Sequence, residues 1–301
     1  MPTLRQNLVQ SITRMYPLYS GCANFSNSPL LGLLAGGQGG QTWCKVDGGD
    51  VWVDLTDYIG RSAFFVGDLD RKITWICRKI ISQGDTVLDI GANIGVVTVL
   101  LSELVGAGGR VHSFEPNPRL VDVLRRTALR NGSKNVVIHD FALGEKADYL
   151  DLAVPPGNAG AASLIREDAV TPTDVHRVRV LPLDDIIENE AIKSIRLIKI
   201  DVEGFEEMVF KGASRMLRAV RPDAILFELN RRTTSALKDE PLIKLLRDFD
   251  YDFIAIPKCM VRMRLRRMDA DMSDSLAGHD FLACPRGSTF EEIAKRVNAS
   301  A

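Results

Sequence analysis

The sequence predicts an α/β fold, a mostly parallel sheet with helices on both faces, and three observations carry that prediction. From residue 85 onward, strand-length apolar segments alternate with segments of helical periodicity, the pattern of a sheet whose crossovers are helices. The first of these strands, around Val87-Leu88, runs straight into a glycine-rich turn that opens a helix. A second strand then ends on an acid, Glu115, twenty-odd residues beyond that turn, the spacing of a βαβ unit.

The elements follow in order. Residues 1–50 are weakly patterned and read as a partly irregular N-terminal extension, with a loop at 26–40 rich in Gly, Ser, Asn and Pro. Residues 51–84 lead into the core. Val51, Val53 and Leu55 alternate with polar neighbours, Phe64-Phe65-Val66 suggests another short strand, and 70–82 carries Ile73, Ile76, Cys77, Ile80 and Ile81 at helical spacing. The main domain is expected over 85–301. Its strands fall at 86–90, 110–114, 136–141, 197–200, 224–229, 251–256 and 280–284, and its helices near 95–105, 118–131, 206–217, 241–248 and 289–297. An insertion at 149–184 breaks the alternation, with strands at 149–154 and 178–183 around a loop containing Pro155-Pro156-Gly157-Asn158.

Composition narrows the class. Hydrophobic residues make up 46% and charged residues 26%, and the net charge is −1, which excludes charge-driven binding to nucleic acid or an anionic membrane as a global property. No apolar run approaches the roughly 20 residues of a spanning helix, and the start lacks a leader-like pattern. Five cysteines without a C-x-x-C pair argue for reduced thiols, and no histidine pair suggests a metal site. The expectation is a cytoplasmic protein without membrane span or bound metal; a homo-oligomer stays open.

The chemistry concentrates in Asp89-Ile90-Gly91-Ala92-Asn93-Ile94-Gly95. Glycines there let backbone approach a ligand, and a helix start favours an anion, either a pyrophosphate or an amino-acid carboxylate. The dinucleotide spacing G-x-G-x-x-G is absent, and Asp89 at the strand end would repel pyrophosphate but accept from the ammonium of a methionine group, which favours S-adenosylmethionine. Glu115 stands where an acid holds two ribose hydroxyls. Pro116-Asn117-Pro118 starts the next helix, with Asn117 as N-cap. Phe141-Ala142 at the third strand end could flank an adenine, although Phe141 equally suits the core.

Together with Ala142-Leu143-Gly144 and Ile198-Lys-Ile-Asp-Val-Glu-Gly204, followed by Lys211-Gly212-Ala213, these segments resemble the FkbM family of class I S-adenosylmethionine-dependent methyltransferases over about residues 60–285. The resemblance implies a Rossmann-like, seven-stranded sheet with an antiparallel last strand. It also implies S-adenosyl-L-methionine as cofactor and O-methylation of a small-molecule, sugar or natural-product hydroxyl. By that resemblance Gly91, Asn93 and Gly95 line the methionine end, Glu115 the ribose and Ala142 the adenine.

A hydroxyl acceptor is a poor nucleophile until its proton is taken, so acids near the cofactor cleft are candidate bases. Lys199, Asp201 and Glu203 share a strand face if the chain stays extended, and two adjacent acids can raise one pKa while Lys199 restrains the other. Asp201 could instead hold the cofactor's ammonium or a divalent metal; the plain reading is a Lys199–Asp201 ion pair with Glu203 capping the helix near Phe205. Glu228, ending another buried strand, is a further catalytic candidate unless Arg231 or Arg232 pairs with it. His176 in the insertion could also be a base, though a solvated histidine is the plainer reading. Lys258, Arg262, Arg264, Arg266 and Arg267 form a basic stretch, read as a charged edge more than an acidic-acceptor site. The competing functions are a nicotinamide-dependent oxidoreductase, disfavoured by Asp89 and the glycine spacing, and a catalytically idle cofactor-binding subunit.

Overall fold

The computed structural model describes residues 2–36, 39–165, 174–229, 237–258, 261–268 and 280–300. Three short helices come first: α1 (Leu4–Thr13), α2 (Cys22–Ser26) and α3 (Pro29–Ala35). The expected loop at 26–40 therefore contains a helix. Ser28 accepts from the Leu31 amide, Pro29 occupies the first turn, and Gly36 terminates it at φ +73°. The Ser, Pro and Gly that suggested a loop are the punctuation of a helix.

Strands β1 (Gln41–Val46) and β2 (Gly49–Asp54) form an antiparallel hairpin. Next come α4 (Tyr58–Val66) and α5 (Arg71–Ile80). Phe64-Phe65-Val66 is the last turn of α4, not a strand. Asp57 starts that helix by accepting from the Ile59 and Gly60 amides, and burial of both phenylalanines outweighs their β preference.

The core continues through β3 (Thr86–Ile90), α6 (Val96–Val105), β4 (Arg110–Phe114), α7 (Pro118–Arg130) and β5 (Val136–His139). The insertion folds as a small sheet of its own: β6 (Ala142–Leu143), β7 (Asp148–Ala153), β8 (Ser163–Ile165) and β9 (Val175–Leu181), in the order β6-β9-β7-β8. The third core strand accordingly stops at His139, two residues early, because Ala142 and Leu143 pair with β9 instead. After α8 (Leu183–Asn189), which the sequence pattern did not reveal, the chain returns through β10 (Leu197–Ile200), α9 (Glu206–Lys211), α10 (Ser214–Ala219), β11 (Ile225–Glu228), α11 (Pro241–Asp248), β12 (Tyr251–Ile256), β13 (Arg266–Arg267), β14 (Asp280–Pro285) and α12 (Ser288–Arg296). One helix was expected over 206–217. It divides because the Asp184 carboxylate accepts from the Arg215 and Met216 amides and starts α10 anew.

The large sheet has the order β13-β12-β14-β11-β10-β3-β4-β5. It contains the seven expected strands plus the two-residue edge β13. β14 runs antiparallel to both β11 and β12, and β3, β4, β5, β10 and β11 are mutually parallel. The order reverses beside β3, where its neighbours β4 and β10 leave a crevice at the carboxyl ends. Side chains alternate across the sheet: Leu88, Ile90, Ile198, Ile200 and Phe227 pack on one face, Val87, Leu197, Leu226 and Leu282 on the other. Each such burial contributes about 1.5–3 kcal/mol. Asp89 and Lys199 are register partners within this apolar setting, a polar intrusion that demands explanation.

Among the described residues no helix is long and apolar enough to cross a membrane, and no cluster of His, Cys, Asp or Glu could hold a metal ion. Cys22, Cys44, Cys77 and Cys284 are free and buried; Cys259 lies outside the described residues.

Candidate active site

A cavity of about 210 Å³ opens at the carboxyl ends of the core strands. The turn after β3 supplies Gly91, Ala92 and Asn93; the end of β4 supplies Glu115 and Pro116; Phe141 and Ala142 flank them; and Lys199, Asp201 and Glu203 come from the segment after β10. Ten of the fourteen residues singled out in the sequence therefore meet in one cavity. Asp89, Gly95, Asn117 and Glu228 lie off its wall.

Asp89, Gly95 and Asn117 each have a visible structural job. Asp89 is fully buried beneath the turn, where its Oδ2 accepts from Thr98 Oγ1 at 2.6 Å and its Oδ1 lies 3.7 Å from Lys199 Nζ. A direct contact from Asp89 to a ligand ammonium does not follow from this placement. Gly95, at φ +90°, leaves room for Leu124 and Thr127 of α7. Asn117 caps α7 by accepting from the Arg119 amide. Glu228 sits opposite Asp280 in the sheet register, half-buried. Arg231 and Arg232, its expected partners, lie outside the described residues.

Lys199 organises the turn from below. Its Nζ donates to the Gly91 carbonyl at 3.1 Å, with Asp89 at 3.7 Å and Asp201 at 4.0 Å. Burial disfavours its charge, but Asp89, Asp201 and Glu115 outweigh burial and hold its pKa above the ordinary lysine value. Gly91 must be glycine: it has φ +79°, and a Cβ there would lie 1.9 Å from the Asp201 carbonyl oxygen. Asn93 and Glu203, at φ +52° and +53°, adopt the left-handed conformation despite their side chains, and both line the cavity.

The turn amides are not free for an anion, as the sequence pattern had suggested. Gly91 and Ala92 donate to the Phe114 carbonyl, Asn93 to Glu115 Oε2 at 2.8 Å, Ile94 to Asn93 Oδ1 and Gly95 to the Ala92 carbonyl. Glu115 Oε1 also accepts from the Asn117 amide at 2.9 Å. Burial pushes Glu115 up to about 7, against the pull of these two amides and of Lys199. Glu228 is likewise pushed up to about 7, by burial and by the negative charges of Asp201, Asp280 and Glu203.

Sequence reasoning missed part of the wall. Tyr58 and Ile59 at the start of α4 reach the cavity, as does the turn Asn158–Ala162 of the insertion. The two are tied together: Asp57 Oδ2 accepts from the Ala159 amide at 2.9 Å, and the Tyr58 amide donates to the Gly157 carbonyl at 3.0 Å. The Pro-Pro-Gly-Asn loop was a signal for this cover; nothing in the sequence linked it to α4. Glu206 rather than Glu203 serves the start of α9, its Oε1 accepting from the Val202 and Gly204 amides. Phe141 lines the cavity and also packs edge-on to Phe114. His139 is packed in the core: it stacks on Phe114 and meets His112 at 3.1 Å, and burial lowers the pKa of both. His176 Nε2 lies 3.3 Å from Asp174 Oδ1, off the cavity wall. Of the basic stretch, Arg267 is bidentate to Glu291 and Arg266–Arg267 forms the sheet edge, in line with the charged-edge reading.

The strand order and the position of this cavity define the class I, Rossmann-like methyltransferase fold. Residues 89–253 match the family model described as the Methyltransferase FkbM domain, and the chain belongs to that family. It is 30% identical to the 31-O-demethyl-FK506 methyltransferase FkbM of Streptomyces tacrolimicus, over 43% of this chain and 59% of that one. It is 25% identical to the hexuronic acid methyltransferase AglP of Haloferax volcanii, over 46% of this chain and 54% of that protein. The chain thus spans between half and three-fifths of the length of these two relatives. A crystal structure of the methyltransferase FkbM from Methylobacillus flagellatus KT aligns with a TM-score of 0.41 at 21% identity, covering 66% of this chain and 43% of that one.

Proposed function

We propose that this protein is an S-adenosylmethionine-dependent O-methyltransferase acting on a hydroxyl of a small molecule or carbohydrate. The observation that carries the reading is Glu115: a buried carboxylate on the wall of a nucleoside-sized crevice, at the end of β4, with each oxygen fixed by one backbone amide. Each oxygen keeps a lone pair for a ribose hydroxyl. The charge of the cavity favours the same cofactor. Glu115, Asp201 and Glu203 face it with Lys199 as the one lysine or arginine on its described wall, and the turn amides are already engaged. That environment suits a sulfonium cation and opposes a pyrophosphate, which argues against a nicotinamide dinucleotide.

Gly91, Ala92 and Asn93 would hold the methionine end, Glu115 and Pro116 the ribose, and Phe141 and Ala142 the adenine. The cofactor, when bound, supplies an activated methyl group. The chain's own part is to hold the acceptor hydroxyl in line and to take its proton. Asp201, on the cavity wall and steadied by Lys199, is the proposed base; Glu203 orients the acceptor, and Glu228 adds negative charge behind them. The Asn158–Ala162 turn closes over the site and excludes water. The relatives support a hydroxyl-bearing acceptor, since one is named for 31-O-demethyl-FK506 and another for a hexuronic acid.

Incubation of the enzyme with methyl-labelled cofactor and a panel of sugars and natural-product alcohols, read by mass spectrometry, tests the proposal. A labelled ether is the expected product. Tight cofactor binding with no transfer to any hydroxyl would favour an idle cofactor-binding subunit.

A further inference from the structure

Helix α1 is oriented against its own amphipathicity. Its polar side chains face the protein: Thr13 Oγ1 donates to the Phe65 carbonyl at 2.6 Å, Gln10 Nε2 donates to the Phe64 carbonyl at 3.0 Å, and Gln6 and Thr13 are buried. Its apolar stripe faces water: Leu4, Leu8, Ile12 and the following Met15 are 88, 64, 64 and 81% exposed. The orientation is fixed in the last turn of α4, where Thr13 satisfies the Phe65 carbonyl and Gln10, with Arg14, the Phe64 carbonyl. The neighbouring α3 adds exposed Leu30, Leu33 and Leu34, and Arg5 joins the two helices by donating to the Leu33 and Leu34 carbonyls.

Single exposed leucines are ordinary, but a contiguous group marks an interaction surface. At these exposures the seven side chains present on the order of 800–1,000 Å² of apolar surface, as much as one side of a standard interface. Charge selects the occupant. Residues 4–35 contain Arg5, which is exposed, and Arg14, which is half-buried, and no Asp or Glu, in a chain whose net charge is −1. Two-fold pairing of this face with itself would bring those cations together. An anionic bilayer would neutralise them and accept the apolar stripe. At 10 residues, about 15 Å, α1 has the size to lie in the headgroup plane, not to cross it.

We propose that the α1–α3 face docks this protein on an anionic lipid surface. The inference is independent of the methyl-transfer reading. It also refines the conclusion from net charge, which described the whole chain and missed its polarised distribution.

The test is flotation of the full chain with vesicles of phosphatidylcholine alone and with about one part in four of phosphatidylglycerol. The parent is expected to float with the anionic vesicles, less with the neutral ones, and less at high salt. The double variant Leu8→Gln/Ile12→Gln is expected to lose at least about tenfold in binding while keeping its melting temperature, since both side chains are exposed. A parent that floats with neither vesicle overturns the proposal, as does a variant that floats equally well. A parent that forms a dimer in the ultracentrifuge, converted to monomer by the double variant without any vesicle binding, would assign the face to a second copy instead.

Discussion

Replacing Glu115 with glutamine removes a carboxylate that the fold holds at a cost, and the cost has a definite pH signature. In the folded chain its pKa is pushed from the ordinary 4.5 up to about 7, chiefly by burial. Below pH 4.5 the group is protonated whether the chain is folded or not, and it contributes nothing. As pH rises, the unfolded chain ionises first, so the folded state loses relative stability until the folded carboxyl ionises near pH 7. At about 1.4 kcal/mol per pKa unit the loss amounts to about 3 kcal/mol. Glu115→Gln abolishes this term. It adds a pH-independent cost of about 1–3 kcal/mol, because the glutamine NH2 must face the amide of either Asn93 or Asn117. Urea unfolding of both proteins between pH 4.5 and 8 reads the difference. Glu228, at about 7, and Asp70, pushed up to about 6 by burial, titrate in the same window but are common to both proteins. The stability gap should shift in favour of the variant by about 3 kcal/mol across that range. Parallel pH profiles would refute the claim that Glu115 is a strained, buried acid.

Asp201→Asn should lower kcat by about 10²–10⁴-fold while leaving cofactor affinity near that of the parent, as expected for a lost base; steady-state kinetics beside calorimetry separates the two effects. Gly91→Ala should abolish folding or destabilise by more than about 3 kcal/mol, since the new Cβ meets the Asp201 carbonyl and φ is +79°; a thermal melt suffices. Lys199→Met leaves Asp89 buried without its cation and should cost about 3–5 kcal/mol at neutral pH. That loss should shrink as pH falls, because the stranded carboxyl can then take up a proton, which denaturation at two pH values will show.

The sheet was legible because its strands are short apolar runs with helical segments between them, and periodicity reports burial directly. The cavity wall at the ends of β3 and β4 was legible for a related reason: Gly91 and Glu115 occupy positions that a βαβ unit dictates locally. Errors arose where tertiary contacts overrode local pattern. Phe64-Phe65-Val66 looks extended, yet the Asp57 cap and burial on both sides make it helical. Asp89 looked like a ligand because it ends a strand beside the turn. Its side chain points instead to Thr98 and Lys199, partners 9 and 110 residues away in sequence. The joining of Tyr58 to the 157–162 loop depends on a contact across a hundred residues, and no spacing rule reports such a contact. The inverted face of α1 was equally hidden, since amphipathic patterning says which face is apolar but not which way it turns.

The central claim is that Glu115 anchors S-adenosylmethionine in the cavity beside β3. Calorimetric titration of the parent and of Glu115→Ala with S-adenosylmethionine, and of the parent with NAD, tests it most directly. The parent should bind S-adenosylmethionine and not NAD, and Glu115→Ala should bind at least about tenfold more weakly, the loss of two charge-assisted hydrogen bonds. Equal affinity in parent and variant, or preference for NAD, would contradict the account.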